Sequence, residues 1–163
     1  MHSVAFVHHT EPLRITGLDL MKDVNTSKHH TRQYDTDKVV LRRGGHFQVH
    51  FHVSRKLSKA RHTLNIEFRR GLKSSFYKGS RFESRIERTH ARDWEWRGRV
   101  ERADGLEVET TVEIPVDAPV GEYNLIAEAV DLKTGRQENF IATQSVVILF
   151  NPWNEGNVLE DIL

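Results

Sequence analysis

Three histidines, His46, His50 and His52, occupy alternating positions of one short segment, His46-Phe47-Gln48-Val49-His50-Phe51-His52-Val53. Alternate positions of an extended chain share a face. Imidazoles spaced two apart can hold Zn²⁺ or Cu²⁺ once a third ligand arrives from a neighbouring strand. The competing use of the same residues is a row of solvated polar side chains. His29 and His30 are adjacent and point apart on an extended chain, so they make a poorer pair. A second set of residues offers charge: Arg69, Arg70, Lys73, Lys78, Arg81, Arg85 and Arg88 form a basic run suited to a partner surface, the competing use again being solubility. Catalytic chemistry has less to work with. The chain contains no cysteine, so a thiol nucleophile and a disulfide framework are both excluded. It has no supported Ser-His-Asp spacing, no phosphate-cradling glycine loop and no His-Glu-x-x-His helix. The site assignment from residues alone is therefore no catalytic residue, no cofactor-binding residue, and His46, His50 and His52 as the metal candidates.

The chain that positions these residues is 163 long, a length that suits one domain able to fold on its core alone. Hydrophobic residues make up 37% and charged residues 29%, polar for a globular protein but too apolar for disorder. No apolar run approaches the length of a membrane span. Met1 to Thr10 lacks the apolar centre of a secretory leader, and the sequence is compatible with the cytoplasm or with secretion without a recognisable signal. Net charge is +1, unevenly spread. Residues 1–68 carry 11 Lys/Arg against 6 Asp/Glu, residues 69–102 carry 11 against 5, and residues 103–163 carry 2 against 12. Much of this charge is expected to pair across strands of a sandwich.

Alternation of period two between turn signals recurs along the chain. It predicts strands around Leu13 to Leu20, Val39 to Leu41, His46 to Val53, Leu64 to Phe68, residues 80–88, Trp94 to Val100, Leu106 to Ile114, Tyr123 to Val130, and Ile141 to Phe150. The last is apolar almost throughout and is expected to be buried on both faces. Residues 22–38 read as a polar loop, and no stretch shows a capped helix pattern. Arg42-Arg43-Gly44-Gly45, Ala103-Asp104-Gly105 and Lys133-Thr134-Gly135 are predicted turns with glycine where φ is positive. Pro115 to Gly121 is predicted to be a tight corner beside which Tyr123 packs its ring and bonds through its hydroxyl. Pro152 ends the last strand, and Trp153 is expected to be a large apolar anchor. The fold class that follows is all-β, an immunoglobulin-like antiparallel β-sandwich of about eight strands. It would occupy residues 13–153, between a flexible segment 1–12 and a tail 154–163.

Four blocks in order carry a resemblance. They are His29-His30-Thr31 followed by Leu41-Arg42-Arg43-Gly44 and Phe47; Trp96 before the Ala103-Asp104-Gly105 turn; Pro115 to Tyr123, with Ala118, Gly121 and Tyr123; and Ile148-Leu149-Phe150-Asn151-Pro152-Trp153. Over roughly residues 15–153 they resemble the N-terminal β-sandwich domain of the animal transglutaminases. The resemblance implies structural roles for Arg42, Arg43, Gly44, Phe47, Trp96, Pro115, Ala118, Gly121, Tyr123, Phe150, Asn151, Pro152 and Trp153. It also implies that the crosslinking chemistry, calcium-dependent transfer of a glutamine acyl group to a lysine amine through a cysteine nucleophile, resides in a catalytic core outside this chain. The expected cofactor of this chain is none, with calcium implied for that absent core only. The expected partner is a transglutaminase catalytic core in cis, together with an extracellular matrix protein or a heparin-like glycan. The alternative is a standalone module that binds a matrix protein or polyanion through residues 69–102. Nucleic acid is disfavoured, because alternation sets Trp94 and Trp96 on one face, toward the core. Two features depart from the family pattern: the strongly basic 69–102 segment, and the ending Glu160-Asp161-Ile162-Leu163, which looks like a piece the family carries further along.

Overall fold

The computed structural model describes residues 11–70, 76–83 and 96–153. In these residues ten strands and one short helix build two sheets. The first sheet takes β1 (Ile15–Asp19), β3 (His46–Val53), β7 (Glu107–Glu113) and β6 (Arg97–Asp104), in the order β1-β3-β7-β6. The second takes β2 (Val39–Arg42), β10 (Val146–Leu149), β8 (Gly121–Asp131), β4 (His62–Arg70) and β5 (Phe76–Glu83), in the order β2-β10-β8-β4-β5, with β9 (Gln137–Ile141) also paired to β8.

Alternation sets the inward faces. Phe47, Val49, Phe51 and Val53 of β3, Val108 and Val112 of β7, and Leu64, Ile66 and Phe68 of β4 are all buried in one apolar cluster with Leu125, Ala127, Val146 and Ile148. The two sheets meet through aromatic rings. Phe68 lies edge-on to Phe47 with centroids 6.4 Å apart, stacks on Trp96 at 4.1 Å, and Trp96 in turn meets the edge of Tyr123 at 5.4 Å. Such offset and edge contacts add to the area these rings bury. Tyr123 donates its hydroxyl hydrogen to the Pro119 carbonyl at 2.6 Å, which satisfies the polar end of a buried ring and closes the corner between β7 and β8.

The predicted turns take the expected backbone. Gly44, Gly105 and Gly135 have φ of 79°, 61° and 75°, the left-handed region that glycine enters without steric cost.

The sequence-based expectation of an all-antiparallel sandwich is corrected in one place. β2 and β10 pair in parallel, Val39 opposite Val146 through Arg42 opposite Leu149. Alternation reports which face a residue occupies and carries no information on strand direction. The expected single strand Ile141 to Phe150 is also divided. β8 is long enough to take two partners along one edge, β10 at Gly121 to Tyr123 and β9 at Ile126 to Val130. Between them the chain steps across, so Ile141 ends β9 at 73% exposure, while Val146 and Ile148 alone of the β10 residues are fully buried. The strand placed around 80–88 runs instead as β5, and its second half falls outside the described residues, as does Trp94.

Residues 22–38 were expected to be a loop, yet Lys22–Lys28 forms a helix, α1. It shows no apolar stripe because polar side chains hold it. Asn25 is buried, donates from Nδ2 to the carbonyls of Leu20 and Gln48 at 2.7 and 2.8 Å, and accepts the Gln48 N–H at 2.9 Å. One amide thereby pins the helix to the backbone of β3. A buried side chain with this many satisfied bonds loses little on leaving water.

Candidate functional site

Residues from three distant parts of the chain converge where the last strand leaves the second sheet. The turn after α1 contributes His29, His30 and Thr31. Thr31 donates its hydroxyl to the Val40 carbonyl at 2.6 Å, which fixes this turn against β2. His29 is buried, and its two ring nitrogens are both used: Nδ1 accepts the Arg42 N–H at 2.9 Å, and Nε2 meets the His46 carbonyl at 2.5 Å. Because Nδ1 accepts, Nε2 must carry the proton, and the ring is the neutral Nε2–H tautomer. Desolvation on burial is the main reason its pKa is lowered, with Lys28, Arg42 and His46 adding to it, against the opposing bond to the His46 carbonyl. A second proton on Nδ1 would face the Arg42 N–H, a donor against a donor.

Arg42 is the centre of the arrangement. Its side chain is almost wholly buried, with Nε donating to the His29 carbonyl at 2.9 Å, Nη1 to the Phe150 carbonyl at 3.2 Å and Nη2 to the His30 carbonyl at 3.4 Å. Its guanidinium carbon lies 5.3 Å from the centre of the Trp153 ring, and the His30 ring lies 4.8 Å from that ring, tilted by 32°. A planar cation over an indole face is an attractive arrangement. Trp153 is thus held by His30 and Arg42 and by its backbone N–H, which donates to Asn151 Oδ1 at 3.0 Å. Burial is not what holds it: Trp153 stays 62% exposed and Phe150 46% exposed, so the expectation of an apolar anchor is replaced by one of stacking. Arg43 secures the other side of the junction, its N–H donating to the Leu149 carbonyl at 2.9 Å and its Nη1 to the Ala118 carbonyl at 3.3 Å.

Glycine is required here by close approach. A Cβ built on Gly45 would lie 2.8 Å from His29 Cε1, inside van der Waals contact. Gly44 N–H reaches the carbonyls of Ile114 and Pro115 at 3.0 and 3.2 Å, which joins the turn to the end of β7. Lys28, His29, His30, Arg42, His46 and Trp153 are among the residues that line an open cleft of about 300 Å³. The four signature segments thus separate by position. His29 to Gly44 and Asn151 to Trp153 form this junction, Pro115 to Tyr123 forms the corner beside it, and Phe47 and Trp96 lie in the core behind.

The other sequence candidates lie elsewhere. His46, His50 and His52 do share the outer face of β3, but each meets a different neighbour. His46 Nε2 is 3.5 Å from Glu113, His50 Nδ1 is 3.1 Å from Glu107 Oε1, and the His52 ring packs over Gly17. Of the basic set, Arg69 is largely covered and its Nη2 donates to Glu67 at 3.4 Å. Arg70, Lys78 and Arg81 belong to β4 and β5, while Lys73, Arg85 and Arg88 lie outside the described residues. The clustering of Arg42, His29 and Trp153 was not legible as a contact set. Its only trace in the sequence was that these residues belong to the blocks on which the resemblance rests.

Comparison with known proteins shows the family of the chain. The N-terminal sequence pattern described as "Transglutaminase family" matches residues 16–130. The chain is 27% identical over 144 residues to human protein-glutamine gamma-glutamyltransferase 4, covering 88% of this chain and 20% of that protein. It is 26% identical over 154 residues to the bovine coagulation factor XIII A chain, covering 90% of this chain and 75% of that sequence. The crystal structure of red sea bream transglutaminase has the same fold, with a TM-score of 0.67 at 22% identity over 87% of this chain and 20% of that one. The chain spans about a fifth of the length of the gamma-glutamyltransferases it matches. No cysteine is present to act as the acyl-transfer nucleophile. With the sequence pattern, the ordered signature blocks and the shared fold in agreement, the chain belongs to the transglutaminase family, of which it represents the non-catalytic N-terminal domain.

Proposed function

We propose that this chain is the docking and support module of a protein-crosslinking transglutaminase, an immunoglobulin-type sandwich that packs against the catalytic core in cis. The observation that carries the reading is the junction at Arg42. One buried guanidinium binds the carbonyls of His29, His30 and Phe150 and lies against Trp153. The last described residues of the sandwich are therefore held against β2 and the turn after α1, which supports a role for this end of the domain in orientation. Trp153 and Phe150 remain outward at that point, and an exposed tryptophan beside a cation is the type of side chain that anchors an interface. On this reading glutamine-to-lysine transfer and its calcium belong to the core. The contribution of this chain is orientation, with a matrix protein or a heparin-like glycan as a further partner.

The test is the size of the native product. An antibody raised against this chain, used on cells that express it, is expected to detect a band several times heavier than 18.9 kDa. A single band near 18.9 kDa would refute packing in cis and leave a standalone module.

A further inference from the structure

The two inner strands of the first sheet, β3 and β7, carry an arrangement that the docking role does not use. Their outer faces oppose histidine to glutamate along the register: His46 faces Glu113, His50 faces Glu109 and His52 faces Glu107. At the centre, one ligand atom each from His50, Glu107 and Glu109 lie within 4.8 Å of one another. His50 Nδ1 already stands 3.1 Å from Glu107 Oε1. We propose that His50, Glu107 and Glu109 form a binding site for a divalent transition metal ion of the Zn²⁺ class.

Several features support this. One imidazole and two carboxylates are a borderline nitrogen and oxygen donor set, which suits Zn²⁺, Cu²⁺ or Ni²⁺ better than Ca²⁺ or Mg²⁺. Two carboxylates neutralise the ion. Both strands are internal to the sheet, flanked by β1 and β6, so the Cα positions are held on both sides. The open site would leave a position for water. Ligands about 2.1 Å from a tetrahedral ion lie about 3.4 Å apart. The widest separation must therefore close by at most about 1.4 Å, within the reach of two glutamate side chains turning about χ angles on a fixed backbone. His46 is four residues along the strand, about 13 Å away at about 3.3 Å per residue, and is too distant to share the ion.

The neighbouring charges set the competition. Arg102 donates from Nη2 to Glu109 Oε1 at 3.0 Å, and this ion pair competes with a metal for the carboxylate. Asp19 faces His50 from β1, and Asp104 faces Glu107 from β6. Both add negative charge to the site. Arg102 therefore competes with the ion for Glu109; loss of a ligand at His50, rather than loss of Arg102, separates a defined site from nonspecific attraction to an acidic surface.

The experiment is calorimetric titration of the purified chain with ZnCl₂, with folding of each variant checked by circular dichroism. One saturable equivalent is expected. His50→Gln and Glu109→Gln should each weaken it about tenfold or more through loss of one of three ligands. Arg102→Gln should tighten it, and His46→Gln should leave it unchanged. Absence of saturable binding would overturn the proposal. So would binding that His50→Gln leaves intact, which would place the ion on other histidines of the chain. Equal affinity for CaCl₂ would overturn the assigned metal class.

Discussion

Arg42→Ala tests the junction most directly. In the folded chain the guanidinium donates one bond of 2.9 Å and two longer bonds of 3.2 and 3.4 Å, to three carbonyls. A hydrogen bond to a charged group contributes about 1.5 to 3 kcal/mol. Taking the shortest near the middle of that range and the two longer ones well below it, the substitution should cost about 3 kcal/mol in all. For a domain of this size that corresponds to a fall in Tm of about 6 to 12 °C. Arg42→Lys retains a charge but loses the fork and the flat stacking surface, and should cost about 1 to 2 kcal/mol. Trp153→Ala removes the exposed cation–π contact and leaves all three carbonyl bonds, at a cost of about 0.5 to 1 kcal/mol. Urea unfolding, with calorimetry for Tm, measures all three variants. The ranking is the test: Arg42→Ala first, Arg42→Lys second, Trp153→Ala last. An Arg42→Ala variant within about 0.5 kcal/mol of the parent would refute the claim that this side chain holds the junction. A Trp153→Ala variant as unstable as Arg42→Ala would show that the ring, and not the guanidinium bonds, carries it.

Three further outcomes follow from the same structure. The pKa values of His29 and His62 are both lowered from 6.5, chiefly by burial. The unfolded chain therefore binds more protons, so stability should be fully present above about pH 6.5 and fall as the pH drops below it; urea midpoints between pH 8 and 5 measure this, and a flat profile would contradict it. Asp131 is lowered from 3.8 to about 2, mainly by its bond with Arg61 at 2.9 Å. Its contribution should be complete above pH 3.8 and disappear as the pH falls toward 2, and Asp131→Asn should remove that part of the acid dependence in a pH-melt series. Gly45→Ala sets a methyl group 2.8 Å from the His29 ring. It should destabilise by about 1 to 3 kcal/mol in urea unfolding, whereas an alanine at Gly105, where no neighbour lies within 4 Å, meets only the strain of its positive φ.

The parts of the fold that alternation governs were legible in the sequence. β3 is the clearest case, since every second residue from Phe47 to Val53 is buried and the intervening histidines face outward. The turns at Gly44, Gly105 and Gly135 were legible because positive φ singles out glycine. What stayed hidden depended on pairing and on polar contacts. Helix α1 is held by Asn25, whose bonds to Leu20 and Gln48 leave no apolar period to read. The parallel pairing of β2 with β10 leaves no mark in either strand. The junction stayed hidden for the same reason: Arg42 and Phe150 are 108 positions apart and meet through backbone carbonyls, which any residue could supply. The glutamates that face His50 were visible as an alternating run, but only the β3–β7 register says which of them stands opposite which histidine.

The parallel pair also sets an order in time. β2 is an edge strand whose sheet partner is β10, formed from Val146–Leu149. During synthesis at about 5 to 20 residues per second, the segment that separates the two takes about 5 to 20 s to emerge. Through that interval the apolar run Val39-Val40-Leu41 has been made and its partner has not. The first sheet, by contrast, has its four strands complete once Glu113 is out. Folding on the ribosome is then expected to proceed in two stages, the four-stranded sheet before the second sheet is finished. The nascent chain passes through a period in which an unpaired strand edge is open to a chaperone or to a second nascent copy.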